Sequence, residues 1–129
     1  MRTIVLSELR LKELLERIPQ VRAAVIGDVC VDAYWIADMR LSQLSRETPH
    51  HNLPVVEERY ALGGAGNVMN NMRALGARVI SVAALGMDFR ADIARRLMEE
   101  AGLELDCTPV FADRVTPCYV KPHRVAMAA

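Results

Sequence analysis

Apolar and polar positions follow two rhythms along this chain. Residues 8–18 place Leu11, Leu14, Leu15 and Ile18 at helical spacing, with Ser7 as N-cap, Glu8 in the first turn and Pro19 as the stop. Residues 22–27 form a short apolar run closed by Gly27, which predicts a buried strand, and the extended pattern resumes after Asp28 through residues 31–36. A second helix is predicted over 65–75 with Gly76 as its C-cap, followed by a buried strand over 79–85. Asp88 is placed to cap a third helix over 89–101, which turns Ile93, Ala94, Leu97 and Ala101 inward and ends at Gly102. Residues 103–110 and 116–125 read as two further strands. Strands that alternate with helices predict an α/β layer fold with a largely parallel sheet.

Residues 38–60 break this rhythm. They are polar, contain Pro49 and Pro54, and hold one short extended run at 53–57. A structureless loop of about 20 residues is unusual inside a compact domain, so the segment is expected to be a functional flap.

Composition narrows the classes of function. The 129 residues, 52% of them apolar, suffice for one domain with a core. Lysine plus arginine and aspartate plus glutamate number 16 each, and this balance argues against nucleic acid or an anionic membrane as partner. Lys12 and Lys121 are the only lysines. Cys30, Cys107 and Cys118 form no C-x-x-C pair, and His50, His51 and His123 complete no metal-ligand spacing with them, so reduced thiols in a cytoplasmic protein are expected. The apolar stretch 3–6 is too short for a signal peptide, and the run at 79–85 falls far short of the roughly 20 residues that span a bilayer.

Two places combine unusual residues with a chemical reason for them. Asp28 and Asp32 lie four apart at the end of a strand expected to be central, where open α/β sheets bind ligands. A carboxylate there can accept hydrogen bonds from two neighbouring sugar hydroxyls; the plainer alternatives are a turn cap and an exposed surface charge. The second place is Gly63-Gly64-Ala65-Gly66-Asn67, which opens a helix. Its glycines allow close backbone approach, the helix start offers free N–H groups, and Asn67 adds a donor and an acceptor; the plainer alternative is an ordinary turn into a helix. Gly64-x-Gly66-x-x-Met69 is one glycine short of a dinucleotide fingerprint, and the charged residues Glu57, Glu58 and Arg59 before it are unlike the buried strand that should feed one. No G-x-x-x-x-G-K-[ST] loop occurs.

The order of these features resembles the N-terminal half of carbohydrate kinases of the ribokinase (PfkB) family. Gly63, Gly64, Ala65, Asn67, Gly76 and Gly86 fall at the spacing of the family's first signature, with Met69 standing where the family has Ser, Thr or Ala. Within the family, the stretches Gly27-Asp28-x-x-x-Asp32-x-Tyr34-Trp35, Ser45-Arg46-Glu47-Thr48-Pro49 and Leu53-Pro54-Val55-Val56 look most like the heptose 7-phosphate kinases, as do Thr116-Pro117 and Lys121. His50, His51 and Asn52 depart from that subgroup.

The resemblance implies a ribokinase-like three-layer α/β/α sandwich with a β-sheet lid, here its N-terminal portion over residues 1–129. The lid is expected at about 34–60 and 116–125. Asp32, Gly63, Gly64 and Asn67, with Asp28 beside them, match positions that hold sugar hydroxyls. The implied substrate is a sugar or sugar phosphate, the implied cofactors are ATP and Mg²⁺, and a homodimer through the lid is an expected partner. The family's catalytic aspartate sits in a Gly-x-Gly-Asp motif in its C-terminal half, and no such motif occurs here. No catalytic residue is therefore expected in this chain, and no kinase activity from it alone. A non-catalytic sugar-binding or lid-pairing module is the alternative.

Overall fold

The structure is a computed structural model that describes residues 6–125. Helix α1 spans Glu8–Arg17; Ser7 caps it, its Oγ accepting from the Arg10 N–H at 3.3 Å, and Pro19 follows in a short 3-10 turn. The expected apolar stripe is only partly covered: Ile18 packs against the core and Leu14 is half-buried, while Leu11 is 45% and Leu15 46% exposed. Periodicity makes a helix amphipathic, but burial needs a second layer, and here that layer reaches one side of the stripe.

Strand β1 (Arg22–Ile26) pairs in parallel with β4 (Arg78–Val82), which pairs in parallel with β6 (Glu104–Cys107). The order β1-β4-β6 makes β1 an edge among the described strands, so the buried strand expected there is half exposed, and Ile26 is 79% exposed. Its apolar sequence reads as a central strand because composition cannot distinguish a covered edge from an open one.

The run after Asp28 does not continue β1. At Gly27-Asp28 the chain leaves the first sheet, and β2 (Val29–Ala37) becomes the centre of a second, mixed sheet of order β3-β2-β8. Strand β3 (Val55–Gly64) is antiparallel to β2, and β8 (Cys118–Arg124) is parallel to it. The expected flap, 38–60, is irregular up to Pro54 and then enters β3. β3 is twice the length of the extended run seen at 53–57, and it takes in the charged residues that had argued against a strand before the glycines. Those charges fit because β3 lies on an exposed sheet edge. Between β2 and β3 the chain is irregular, tied by a Leu44–His51 bridge and by the Gln43 N–H donating to the Asn52 side-chain oxygen at 2.7 Å.

β3 runs directly into α2 (Ala65–Ala74), which Gly76 ends in a left-handed conformation. The strand expected over 79–85 is split into β4 and a two-residue β5 (Leu85–Gly86). The strand expected over 103–110 likewise splits into β6 and β7 (Val110–Phe111), and β7 pairs with β5 in parallel. Helix α3 (Phe89–Glu100) packs Ala91, Ala94 and Met98 into the core, where they meet Met69, Val79, Leu85, Val29 and Val31. Met69, the departure from the family signature, is fully buried and so belongs to packing. Arg73 ties the two helix ends together, donating to the Ala77 carbonyl at 2.8 Å and the Ala101 carbonyl at 3.1 Å.

One buried knot sets the start of β8. Asp88 caps α3 through Oδ1, which accepts from the Ala91 N–H at 2.9 Å, while Oδ2 accepts from the Thr116 N–H at 2.8 Å. The Thr116 hydroxyl in turn accepts from the Gly86 N–H at 2.8 Å, and the Pro117 carbonyl accepts from Val31 N–H at 2.9 Å. Burial pushes the Asp88 carboxyl up, but these backbone donors outweigh it and hold the pKa below the usual 3.8. A group depressed in the folded state stabilises fully above its ordinary value and loses that contribution as pH falls below it. We expect Asp88→Ala to cost about 1–3 kcal/mol from the lost cap and the orphaned Thr116 N–H. Thermal unfolding at pH 7 reads this as a fall in Tm, and the gap from wild type should narrow in acid; an unchanged Tm would show that the knot is redundant.

Candidate functional site

The junction between the two sheets builds an open cleft of about 380 Å³ lined by Asp28, Cys30, Asp32, Gly64, Pro117, Tyr119 and Lys121. Three elements converge on it. β2 brings Cys30 and Asp32 on the same face, β8 brings Tyr119 opposite Asp32 and Lys121 opposite Tyr34, and the β3–α2 junction closes the base.

The glycines at that base have separate structural reasons. Gly63 pairs with Cys30, and a Cβ on it would lie 2.5 Å from the Cys30 sulfur and 3.2 Å from the Asp32 carboxyl carbon. Gly64 has φ +56° and ψ −133°, and a Cβ there would come within 2.5 Å of the Asp28 carbonyl oxygen. That carbonyl accepts from the Ala65 N–H at 2.9 Å, so the first turn of α2 is fastened to the crossover between the sheets. The two glycines therefore let β3 turn into α2 flush against β2, leaving the Asp32 carboxylate accessible beside them.

Asp32 is the best-held acid of the cleft. Its Oδ2 lies 2.7 Å from Lys121 Nζ, and its side chain is 19% exposed. Lys121 also lies 3.4 Å from the Tyr34 hydroxyl, and its ammonium stands 5.0 Å from the centre of the Tyr34 ring. The hydrogen bond to Asp32 raises the lysine pKa, so Lys121 carries its positive charge at neutral pH. Burial, and then the Asp32 carboxylate, push the neighbouring Cys30 thiol up, which keeps it protonated and unreactive.

Of the five residues singled out from sequence, Asp28, Asp32 and Gly64 line one cleft. Gly63 lies beneath Asp32 as packing, and Asn67 is exposed on the first turn of α2, outside the lining. Asp28 differs from Asp32 in kind: it is 85% exposed and paired to Arg114 at 2.8 Å. Sequence reading missed the partners Lys121, Tyr119 and Arg114. A signal existed for Lys121, one of two lysines in an arginine-rich chain, but its contact with Asp32 depends on β8 pairing with β2 across more than 80 residues.

Comparison with known proteins gives this arrangement a relationship. No family model matches the chain. It is 40% identical over 91 residues to the bifunctional protein HldE of Citrifermentans bemidjiense, covering 70% of this chain and 18% of that protein. It is 36% identical over 91 residues to the D-beta-D-heptose 7-phosphate kinase of Bordetella bronchiseptica, covering 70% of this chain and 28% of that one. Its fold superposes on a carbohydrate kinase from Agrobacterium tumefaciens with a TM-score of 0.61 at 24% identity, over 81% of this chain and 32% of the other. The chain is therefore similar in sequence to heptose 7-phosphate kinases, and its fold is that of ribokinase-like carbohydrate kinases.

The chain spans between 18% and 32% of the length of these relatives. The segments expected as the lid, about 34–60 and 116–125, fall in the sheet β3-β2-β8 and in the irregular stretch between β2 and β3. No helix among the described residues is long and apolar enough to cross a membrane.

Proposed function

We propose that this chain forms the sugar-binding part of an ATP-dependent carbohydrate kinase acting on a heptose 7-phosphate-like substrate. The observation that carries this reading is the Asp32 carboxylate, held by Lys121 and backed by Gly63 and Gly64 where the lid meets the sandwich. An oriented carboxylate beside exposed backbone can take two adjacent sugar hydroxyls, with Asp28 and Asn67 available at the rim. The Lys121 contact fixes the direction of the Asp32 carboxylate, as a hydroxyl-accepting site requires.

ATP and Mg²⁺ follow from the family reading, and the relatives point the same way: one ribokinase of this fold is described in complex with ADP. No group of three or more metal-ligating side chains comes together among the described residues, so no step of phosphoryl transfer is assigned to these side chains. Their work is to bind and orient the sugar, and a lid over it excludes water from the acceptor hydroxyl.

Calorimetric titration of the chain with D-glycero-D-manno-heptose 7-phosphate tests the reading. Saturable one-to-one binding in the absence of nucleotide is expected. No heat and no protection of the cleft at millimolar sugar phosphate would sink it. A non-catalytic module that pairs through the lid would instead dimerise without binding sugar, which analytical ultracentrifugation of the same samples would reveal.

A further inference from the structure

Strand β8 carries Lys121 to Asp32, yet its own residues do little to fix where it lies. It is an outer strand of the sheet β3-β2-β8 and, among the described strands, pairs with β2 alone. None of its seven residues is buried, and only Cys118 and Lys121 are half-buried. A strand's register is held mainly by the apolar face it buries, and a slip of one residue turns every side chain to the opposite face. Parallel pairing is also slightly the weaker kind per residue. Such a slip would set Val120 or Pro122 opposite Tyr34 in place of Lys121, and the Lys121 side chain would leave the face that holds Asp32.

The strand's position is fixed one step upstream. Thr116 is fully buried, in contrast to every residue of β8. Its N–H donates to Asp88 Oδ2 at 2.8 Å, and its hydroxyl accepts from the Gly86 N–H at 2.8 Å. A Cβ on Gly86 would lie 2.7 Å from Asp88 Oδ2 and 2.8 Å from the Thr116 nitrogen, so a side chain there would break into this clamp. Only Pro117 separates Thr116 from the first ladder pair, Val31 with Cys118, and the Pro117 carbonyl accepts from the Val31 N–H at 2.9 Å. Asp88 is itself anchored as the cap of α3, whose Ala91, Ala94 and Met98 sit in the core. The clamp thus ties β8 to the packed core, which its own exposed ladder cannot do.

We propose that Asp88 is a positioning residue for the cleft: it holds Thr116, thereby sets β8 in register on β2, and so brings Lys121 onto Asp32. This deepens the sugar-binding reading above. Its consequence for the sugar rests on that reading; its consequence for Lys121 does not.

Asp88→Asn in the whole chain tests it. The substitution keeps the shape of the side chain, but its one remaining oxygen cannot accept from the Ala91 and Thr116 N–H groups together. Lys12 and Lys121 are the only lysines, so brief acetylation followed by mass spectrometry gives their labelling ratio, with Lys12 on α1 as the internal reference. The contact with Asp32 raises the Lys121 pKa and keeps the amine protonated, which slows its acylation. The Lys121-to-Lys12 ratio should rise several-fold in Asp88→Asn and less in Thr116→Val, which removes only the hydroxyl and carries the test if the first variant fails to fold. Arg73→Ala loses the bonds at the far ends of α2 and α3, lowers stability without touching the clamp, and should leave the ratio unchanged. Calorimetry on the same samples with D-glycero-D-manno-heptose 7-phosphate should show several-fold weaker binding by the clamp variants alone. A ratio that stays at the wild-type value in the clamp variants, or rises equally in Arg73→Ala, would overturn the clamp whatever the sugar does. A raised ratio with wild-type sugar affinity would leave the clamp standing and overturn the reading of the Asp32–Lys121 pair as the sugar's seat.

Discussion

Asp32→Asn should weaken the binding of heptose 7-phosphate about 100-fold while leaving the fold intact. The substitution keeps the shape of the side chain and removes its charge. Two charge-assisted hydrogen bonds to sugar hydroxyls then become ordinary ones, and half of the amide presents donors where acceptors are needed. A loss on this scale corresponds to about 2.7 kcal/mol, in the range for hydrogen bonds to a charged group. Stability changes little because Lys121, freed from its 2.7 Å contact, is 42% exposed and can be hydrated. Calorimetry alongside thermal unfolding separates the two effects. Unaltered affinity would show that Asp32 serves only to neutralise Lys121 and that the sugar lies elsewhere.

Gly64→Ala should be the most damaging single change to the fold near the site, costing about 3 kcal/mol and lowering Tm by roughly 10 °C. The backbone there has φ +56° with ψ −133°, a combination that side-chain-bearing residues rarely adopt. The new Cβ would also press on the Asp28 carbonyl at 2.5 Å, and that atom is backbone, already engaged by the Ala65 N–H. Relief requires β2 and the start of α2 to separate, which opens the cleft base. Sugar binding should fall together with stability. A variant that unfolds at the wild-type temperature would mean the turn relaxes to another conformation at low cost.

The candidate site was legible where its chemistry is local. Asp32, Gly63 and Gly64 stand out because a carboxylate within an extended apolar run and paired glycines before a helix are rare without a reason. The cap by Asp88 was readable too, but only as a cap; its second oxygen reaches Thr116, 28 residues away, and no local signal announces that bond. Lys121 stayed hidden for the same reason. Its role comes from β8 lying parallel to β2, a pairing of high sequence separation that the alternation of either strand leaves open.

Element identity and turn chemistry were therefore determined by the sequence alone: Ser7 and Asp88 as N-caps, Gly76 and Gly102 as helix ends, and the order of helices and strands. These depend on interactions within a few residues. The tertiary structure decided which strands share a sheet, where the apolar runs are covered, and which charges meet. The break at Gly27-Asp28, the partly covered stripe of α1 and the Asp32–Lys121 pair all belong to that second class. Their cause is physical: burial and pairing are properties of a side chain's neighbours in space, and a residue's own type constrains those neighbours only weakly.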